Sequence, residues 1–254
     1  MENAKGIIDE VSILMKQASL FLKEPIKKQT SLNNPSTDID KKISKFLTKS
    51  LKKIINTDVL SEENVLGYSG KTETFWLIDP IDGTMNFISG SPDVAISVAL
   101  VDKSFNAYIA LAYFPYYNEL YTAIQNKGAY LNGKKINHSK PKLKIISYGL
   151  SEDASKQKDK IVRILGKLIE NNFILRQSGS ATVDICRVAK GTWLAFFEEG
   201  LYVWDVAAAS LIAKESGCVP LISSISENNY KCNYLCSNTQ SINIELLNII
   251  KDKQ

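Results

Sequence analysis

The chain has 254 residues, with 31 lysines and arginines against 27 aspartates and glutamates and a formal net charge of +4. Hydrophobic residues are 44% and charged residues 23%, the balance of a globular protein able to bury a full core, as one large α/β unit or two closely packed halves. The lysines are spread over many segments, which argues against a nucleic-acid surface, and no apolar run is long enough to span a bilayer.

The N-terminus lacks the basic-then-apolar pattern of a signal peptide, and Cys186, Cys218, Cys232 and Cys236 form no dense framework. The expectation is a cytoplasmic protein with free thiols. Cys232 and Cys236 have the look of half a zinc site, but no second pair follows and the single histidine, His138, is distant in sequence, so structural zinc is not expected.

In chain order, residues 2–23 place Ile7, Ile8, Val11, Leu14, Met15, Ala18 and Leu22 at helical spacing ahead of Pro25. A second helix starts near Asp38 or Asp40, either of which can cap it, and carries Ile43, Phe46, Leu47 and Leu51 on one face. The stretch TDVLSEEN, residues 57–64, reads as a short strand that leaves Glu62 and Glu63 at its end. Taken alone, these glutamates are solvated charges.

Phe75, Trp76, Leu77 and Ile78 form a continuous apolar run suited to a strand buried on both faces, with Asp79 at its end. Pro80 and Gly83 should stop the strand there and turn the backbone past Asp82. Two carboxylates facing one small space repel each other unless a cation sits between them, and an all-oxygen cluster favours Mg²⁺ over zinc. Gly83 and Thr84 read as the start of a helix whose N–H groups can hold phosphate. A metal beside a phosphate pocket points to phosphoryl chemistry; the alternative is a turn that merely caps a helix.

Residues 94–102 and 106–115 read as antiparallel strands, followed by hairpins with turns at Lys127-Gly128 and Asn132-Gly133. The second half reads as a strand in KIISYGL, a helix from about Ser155 to Glu170 and a strand from Phe173 to Arg176. A short helix then begins near Ser180 with a ligand-compatible N-terminus, and WLAFFEEG reads as a strand carrying Glu198 and Glu199. A last helix starts at Asp205, which can serve as its N-cap, and packs through Ala207, Ala208 and Ala209. With no linker in sight, residues 1–254 read as one domain with halves of about 1–142 and 143–254.

Taken together and in order, TDID, SEEN, WLIDPIDGTMNFISGSP, GSATVDICRVAKG and EEGLYVWDVAAASLIAKESG resemble the inositol monophosphatase family of Mg²⁺-dependent, lithium-sensitive phosphatases over nearly the whole chain. The resemblance implies an α/β fold, a five-layer αβαβα sandwich of the inositol monophosphatase and fructose-1,6-bisphosphatase type. It makes Glu63, Asp79 and the carbonyl of Ile81 ligands of a first Mg²⁺, and Asp79, Asp82 and Asp205 ligands of a second, with Glu63 helping a third through water. Thr84, oriented by Asp40, and Glu63 would position the attacking water. Asp82, Gly83, Thr84, Ser180, Ala181, Glu198 and Asp205 would contact the substrate.

Asp93, after Pro92, and Leu194 depart from the family pattern, where an apolar or aromatic residue and an aspartate are usual; they are expected to alter hydrogen bonding around the substrate. The implied substrate is a small phosphorylated polyol or sugar, inositol monophosphate first. The nucleotide bisphosphatases of the family show DPLDGT followed by lysine and glutamate, and a GSSLK-like segment, where this chain has DPIDGTMNF and GSATVD. A 3′(2′),5′-bisphosphate nucleotidase, a fructose-1,6-bisphosphatase and a non-catalytic partner of the transcription machinery are the alternatives. The resemblance also implies a homodimer, and the composition leads to no expected membrane or nucleic-acid partner.

Overall fold

The computed structural model describes residues 3–30, 35–138, 141, 143–150, 154–223, 225–226 and 229–251. The polar stretch predicted to join the first two helices lies partly outside them. Helix α1, Ala4–Ser19, runs on as a 3₁₀ turn over Leu20–Lys23, and α2 spans Asp38–Ile54. Thr37 caps α2, and Asp40 accepts from both the N–H and the hydroxyl of Thr37, which closes a capping box. Asp38 serves elsewhere: its carboxylate accepts from the N–H groups of Lys27 and Lys28 and pins the preceding strap.

A first sheet follows in sequence order: β1 Asp58–Ser61, β2 Thr74–Asp82, β3 Ala95–Asp102, β4 Ala107–Phe114, β5 Glu119–Ile124, β6 Gly128–Leu131 and β7 Lys134–Ile136. β1 is parallel to β2; the remaining pairs are antiparallel. The predicted Asn132-Gly133 hairpin is present, with both residues at positive φ. Helices α3 Thr84–Ser89, α4 Lys158–Glu170, α5 Ala181–Ala189, α6 Val203–Glu215 and α7 Gln240–Lys251 join a second sheet of β8 Ile145–Tyr148, β9 Ile174–Arg176, β10 Ala195–Tyr202, β11 Val219–Ile222 and β12 Lys231–Ser237, ordered β11-β12-β10-β8-β9.

Strand alternation builds three cores between five layers. On β2, Trp76 and Ile78 pack with Val11, Met15, Ile43 and Leu47 of the outer helices, while Phe75 and Leu77 face α5 and α6. On β10, Phe196 joins that central layer, and Ala195 and Phe197 turn to Ile164 and Leu168 of α4 and Leu246 and Ile249 of α7. The order is α1/α2, first sheet, α5/α6, second sheet, α4/α7, which is the expected αβαβα sandwich. Helix α6 is sandwiched between sheets, and its run of Ala207, Ala208 and Ala209 lets both approach closely. Cys186, Cys218, Cys232 and Cys236 are buried there as free thiols. No helix among the described residues is long and apolar enough to cross a membrane.

Several boundaries differ from the sequence reading. β11, β12 and α7 were not anticipated. α6 begins at Val203, so Asp205 is its third residue: its carboxylate accepts from the N–H of Tyr202 at 2.8 Å, as a capping-box partner and not as the N-cap. β2 does not stop at Asp79 but runs to Asp82, because Pro80 falls where the ladder with β3 is already broken.

Candidate active site

The break in that ladder creates the site. Asp79 pairs with Ser97 and Asp82 with Ala95, so three steps along β2 match two along β3. This is a bulge, and its extra residue puts Asp82 on the same side as Asp79 despite their odd spacing. Gly83, at φ 88°, then swings the chain into α3. A Cβ there would stand 2.7 Å from the Asp93 carbonyl, so only glycine fits.

Glu62, Asp79, Asp82, Asp205 and Glu198 line one cleft of about 700 Å³ together with Gly83, Thr84, Ser180, Ala181, Tyr202 and Asp184. Most of the predicted residues are thus brought together from β2, α3, α5, β10 and α6; Asp40 and Glu63 are not in the lining. Glu62, which opens a 3₁₀ turn after β1, lines the cleft, whereas Glu63 accepts a hydrogen bond from Ser36 at 2.6 Å and is not part of the lining. Burial first, then the charges of Glu62, Asp82 and Asp205, push the carboxyl of Asp79 well above the usual range; burial and Asp205 do the same to Glu62.

Asp82 has a second task. One of its oxygens accepts from the Ser180 hydroxyl at 2.9 Å and from the Thr182 N–H, at the start of α5. The Val183 N–H is taken by the Ser180 hydroxyl, so the helix start predicted near Ser180 as a ligand site has these donors occupied from within the chain. At α3 the first N–H bonded inside the helix is that of Phe87, on the Gly83 carbonyl, which leaves those before it without a helical partner beside the cleft. The Thr84 hydroxyl stands 2.8 Å from the Ile81 carbonyl and 3.2 Å from the free oxygen of Asp40. Asp40 is buried, which raises its carboxyl despite the Thr37 contacts.

Glu198 lies against Gly149 at the end of β8, where a Cβ would come within 1.9 Å of its carboxylate. Burial, helped by Asp82 and Asp184, pushes its carboxyl up to about 8. Because the folded value lies above the ordinary 4.5, stability from the neutral carboxyl is full at low pH and is lost as the pH rises towards 8. In metal-free protein, Glu198→Gln should therefore melt with the wild type at pH 5 and several degrees above it at pH 9. Parallel melting curves across that range would assign Glu198 to solvent.

Glu62 and Asp184 line the cleft but are not among the site residues that the resemblance implies. Asp184 is buried, accepts from Ser147, and has one oxygen without a hydrogen bond; burial raises its carboxyl to about 6. The two departures from the family pattern lie off the lining of the cleft. Asp93 is ion-paired with Arg187 and accepts from the Tyr117 hydroxyl, and Leu194 packs in the outer core of the second sheet. The sequence reading expected them to alter hydrogen bonding around the substrate, but neither side chain is in the cleft lining.

The donors fit a hard divalent cation in kind: four carboxylates and the Ile81 carbonyl, all oxygen. Among the described residues no lysine or arginine lines the cleft, so nothing in the lining balances that charge. Among the described residues no three His, Cys, Asp or Glu side chains are grouped closely enough to hold an ion by themselves, and Mg²⁺ needs only one or two carboxylates beside a carbonyl and water.

The chain is a mixed α/β sandwich with an acidic cleft at the end of a bulged strand. The sequence profile of the inositol monophosphatase family matches residues 3–252, and the chain belongs to that family. It is 34% identical over 193 residues to the Nus factor SuhB of Xylella fastidiosa, covering 74% of this chain and 69% of that protein. It is 31% identical over 230 residues, 86% of each chain, to a fructose-1,6-bisphosphatase/inositol-1-monophosphatase of Aquifex aeolicus. The crystal structure of an IMPase/NADP phosphatase complexed with Mg²⁺ and phosphate superposes with a TM-score of 0.82 at 22% identity, covering 99% of this chain and 97% of that one.

Proposed function

We propose that this chain is a Mg²⁺-dependent phosphomonoesterase acting on a small phosphorylated polyol or sugar, inositol monophosphate first. The observation that carries the reading is the cleft of Glu62, Asp79, Asp82 and Asp205 with no lysine or arginine in its described lining. Divalent cations that enter with a phosphate dianion would offset its repulsion by these carboxylates. Glu62, Asp79, the Ile81 carbonyl, Asp82 and Asp205 would hold them. Bound there, Mg²⁺ supplies a water of lowered pKa and charge to stabilise the leaving alkoxide.

The chain's own groups do the rest. Asp40 fixes the Thr84 hydroxyl, whose lone pairs can align a water for in-line attack. The open N–H groups of α3 meet the phosphate oxygens, and Glu198 reaches the hydroxyls of the alcohol. Thr84→Ala should therefore lower kcat more than it raises KM, because backbone N–H groups that alanine keeps bind the phosphate. Unchanged kcat with a lowered melting temperature would reduce Thr84 to a structural cap.

Activity of the purified protein with Mg²⁺ on inositol 1-phosphate, fructose 1,6-bisphosphate and adenosine 3′,5′-bisphosphate tests the reading. Hydrolysis of the first is expected to dominate, and inactivity on all three would overturn it. The relative named Nus factor favours a second reading, association with transcription complexes. A catalytically dead variant that keeps such association would show that the two activities are separate.

A further inference from the structure

We propose that Asn86 is a positioning residue that staples the phosphate side of the cleft to the alcohol side; the inference rests on the phosphatase reading above. Asn86 lies on α3, just after Thr84 and Met85, and lines the cleft. Its amide nitrogen donates to the Asp93 carbonyl at 2.7 Å and to the Ser178 carbonyl at 2.8 Å. Both hydrogens of one amide are thus used, one on the loop that follows α3 and one on the turn that leads into α5.

The backbone on each side is shaped around this amide. A Cβ at Gly83 would sit 3.3 Å from the Asn86 nitrogen, and one at Gly179, at φ 84°, would sit 3.1 Å from its oxygen. Behind the staple, the Asp93 carboxylate takes the guanidinium of Arg187, which lies over the Trp193 ring at 4.8 Å and reaches Asp184 at 3.8 Å. Asp184 in turn accepts from the Ser178 N–H at 3.4 Å. Asp93 and Ser178 are therefore joined twice, directly through Asn86 and round the back through Arg187 and Asp184. This gives the unusual Asp93 a role: it anchors one end of the staple.

The staple sets the spacing between Thr84 on one wall and Ser180 and Ala181 on the other. Asp82 also crosses this gap, but through a carboxylate that the proposed metal would share. Asn86 is neutral and holds the gap whatever the ionic state of the cleft. Its replacement by aspartate keeps the shape and turns an acceptor towards two carbonyls, a repulsive contact that alanine would not create.

The test compares wild type, Asn86→Ala, Asn86→Asp and a control, Asn243→Ala. Asn243 is buried on α7 and bonded to the Val219 carbonyl at 2.8 Å and the Ser237 hydroxyl at 2.6 Å, so its loss affects stability away from the cleft. Hydrogen exchange should quicken together in residues 83–94 and 177–182 of both Asn86 variants and in neither span of the control. kcat/KM on the best substrate of the panel should fall about tenfold in Asn86→Ala, further in Asn86→Asp, and little in Asn243→Ala at a matched melting temperature. Faster exchange in only one span or in neither, or wild-type kcat/KM in Asn86→Asp, would overturn the staple. If the wild type hydrolyses nothing, the phosphatase reading fails by itself and the exchange pattern alone decides the staple.

Discussion

Replacing Asp82 by asparagine is expected to abolish turnover, by roughly a thousandfold or more, while the metal-free protein stays folded. Asp82 is buried among Asp79, Glu62 and Asp205, and burial raises its carboxyl even though Ser180 and Thr182 donate to it. An amide oxygen can keep accepting from the Ser180 hydroxyl and the Thr182 N–H, so the start of α5 survives. The substitution also removes one charge from a repelling group, which favours the metal-free fold. What it cannot keep is a negative ligand for a hard cation. Measured kcat near the wild-type value at saturating Mg²⁺ would remove Asp82 from the metal site, and a large fall in melting temperature without Mg²⁺ would make its contacts with α5 its main role.

The central corner was legible because its signals are local. Phe75 to Ile78 announce a strand, Gly83 a turn at positive φ, and the order of the DPIDGT and WDVAA segments carries the family. The bulge was not legible: whether Asp79 and Asp82 share a side depends on how β2 pairs with β3, and pairing is a property of two segments. The C-terminal strand and helix left weak traces. Cys232, Tyr234 and Cys236 alternate with Lys231 and Asn233, but cysteine and tyrosine mark a buried face less clearly than valine or isoleucine. Asn86 and Asp184 could not be singled out, because a lone amide or carboxylate on a short helix acquires a role only from the loop it meets.

The choice between adjacent glutamates shows the same limit and yields the sharpest comparison: Glu62→Gln should lose activity by roughly two orders of magnitude or more, and Glu63→Gln should lose little. Along β1, Val59 faces the outer helices, Leu60 the central layer, and Ser61 the outer side again, where its hydroxyl meets that of Ser44 on α2. Glu62, the first residue of the 3₁₀ turn, then lies on the central side and lines the cleft. The register agrees: Leu60 lies beside Leu77 and Ser61 beside Ile78, so the next position is level with Asp79. Glu63 follows the outer direction to Ser36. Its charge still raises the carboxyls of Glu62 and Asp40, so removing it should shift the pH profile slightly towards acid without emptying the site. Titrating Mg²⁺ against each variant by calorimetry separates the roles: weakened binding in Glu62→Gln alone is expected. Weakened binding in Glu63→Gln alone would mean that the 3₁₀ turn rewinds when the ion enters, and that Glu63, not Glu62, is the ligand.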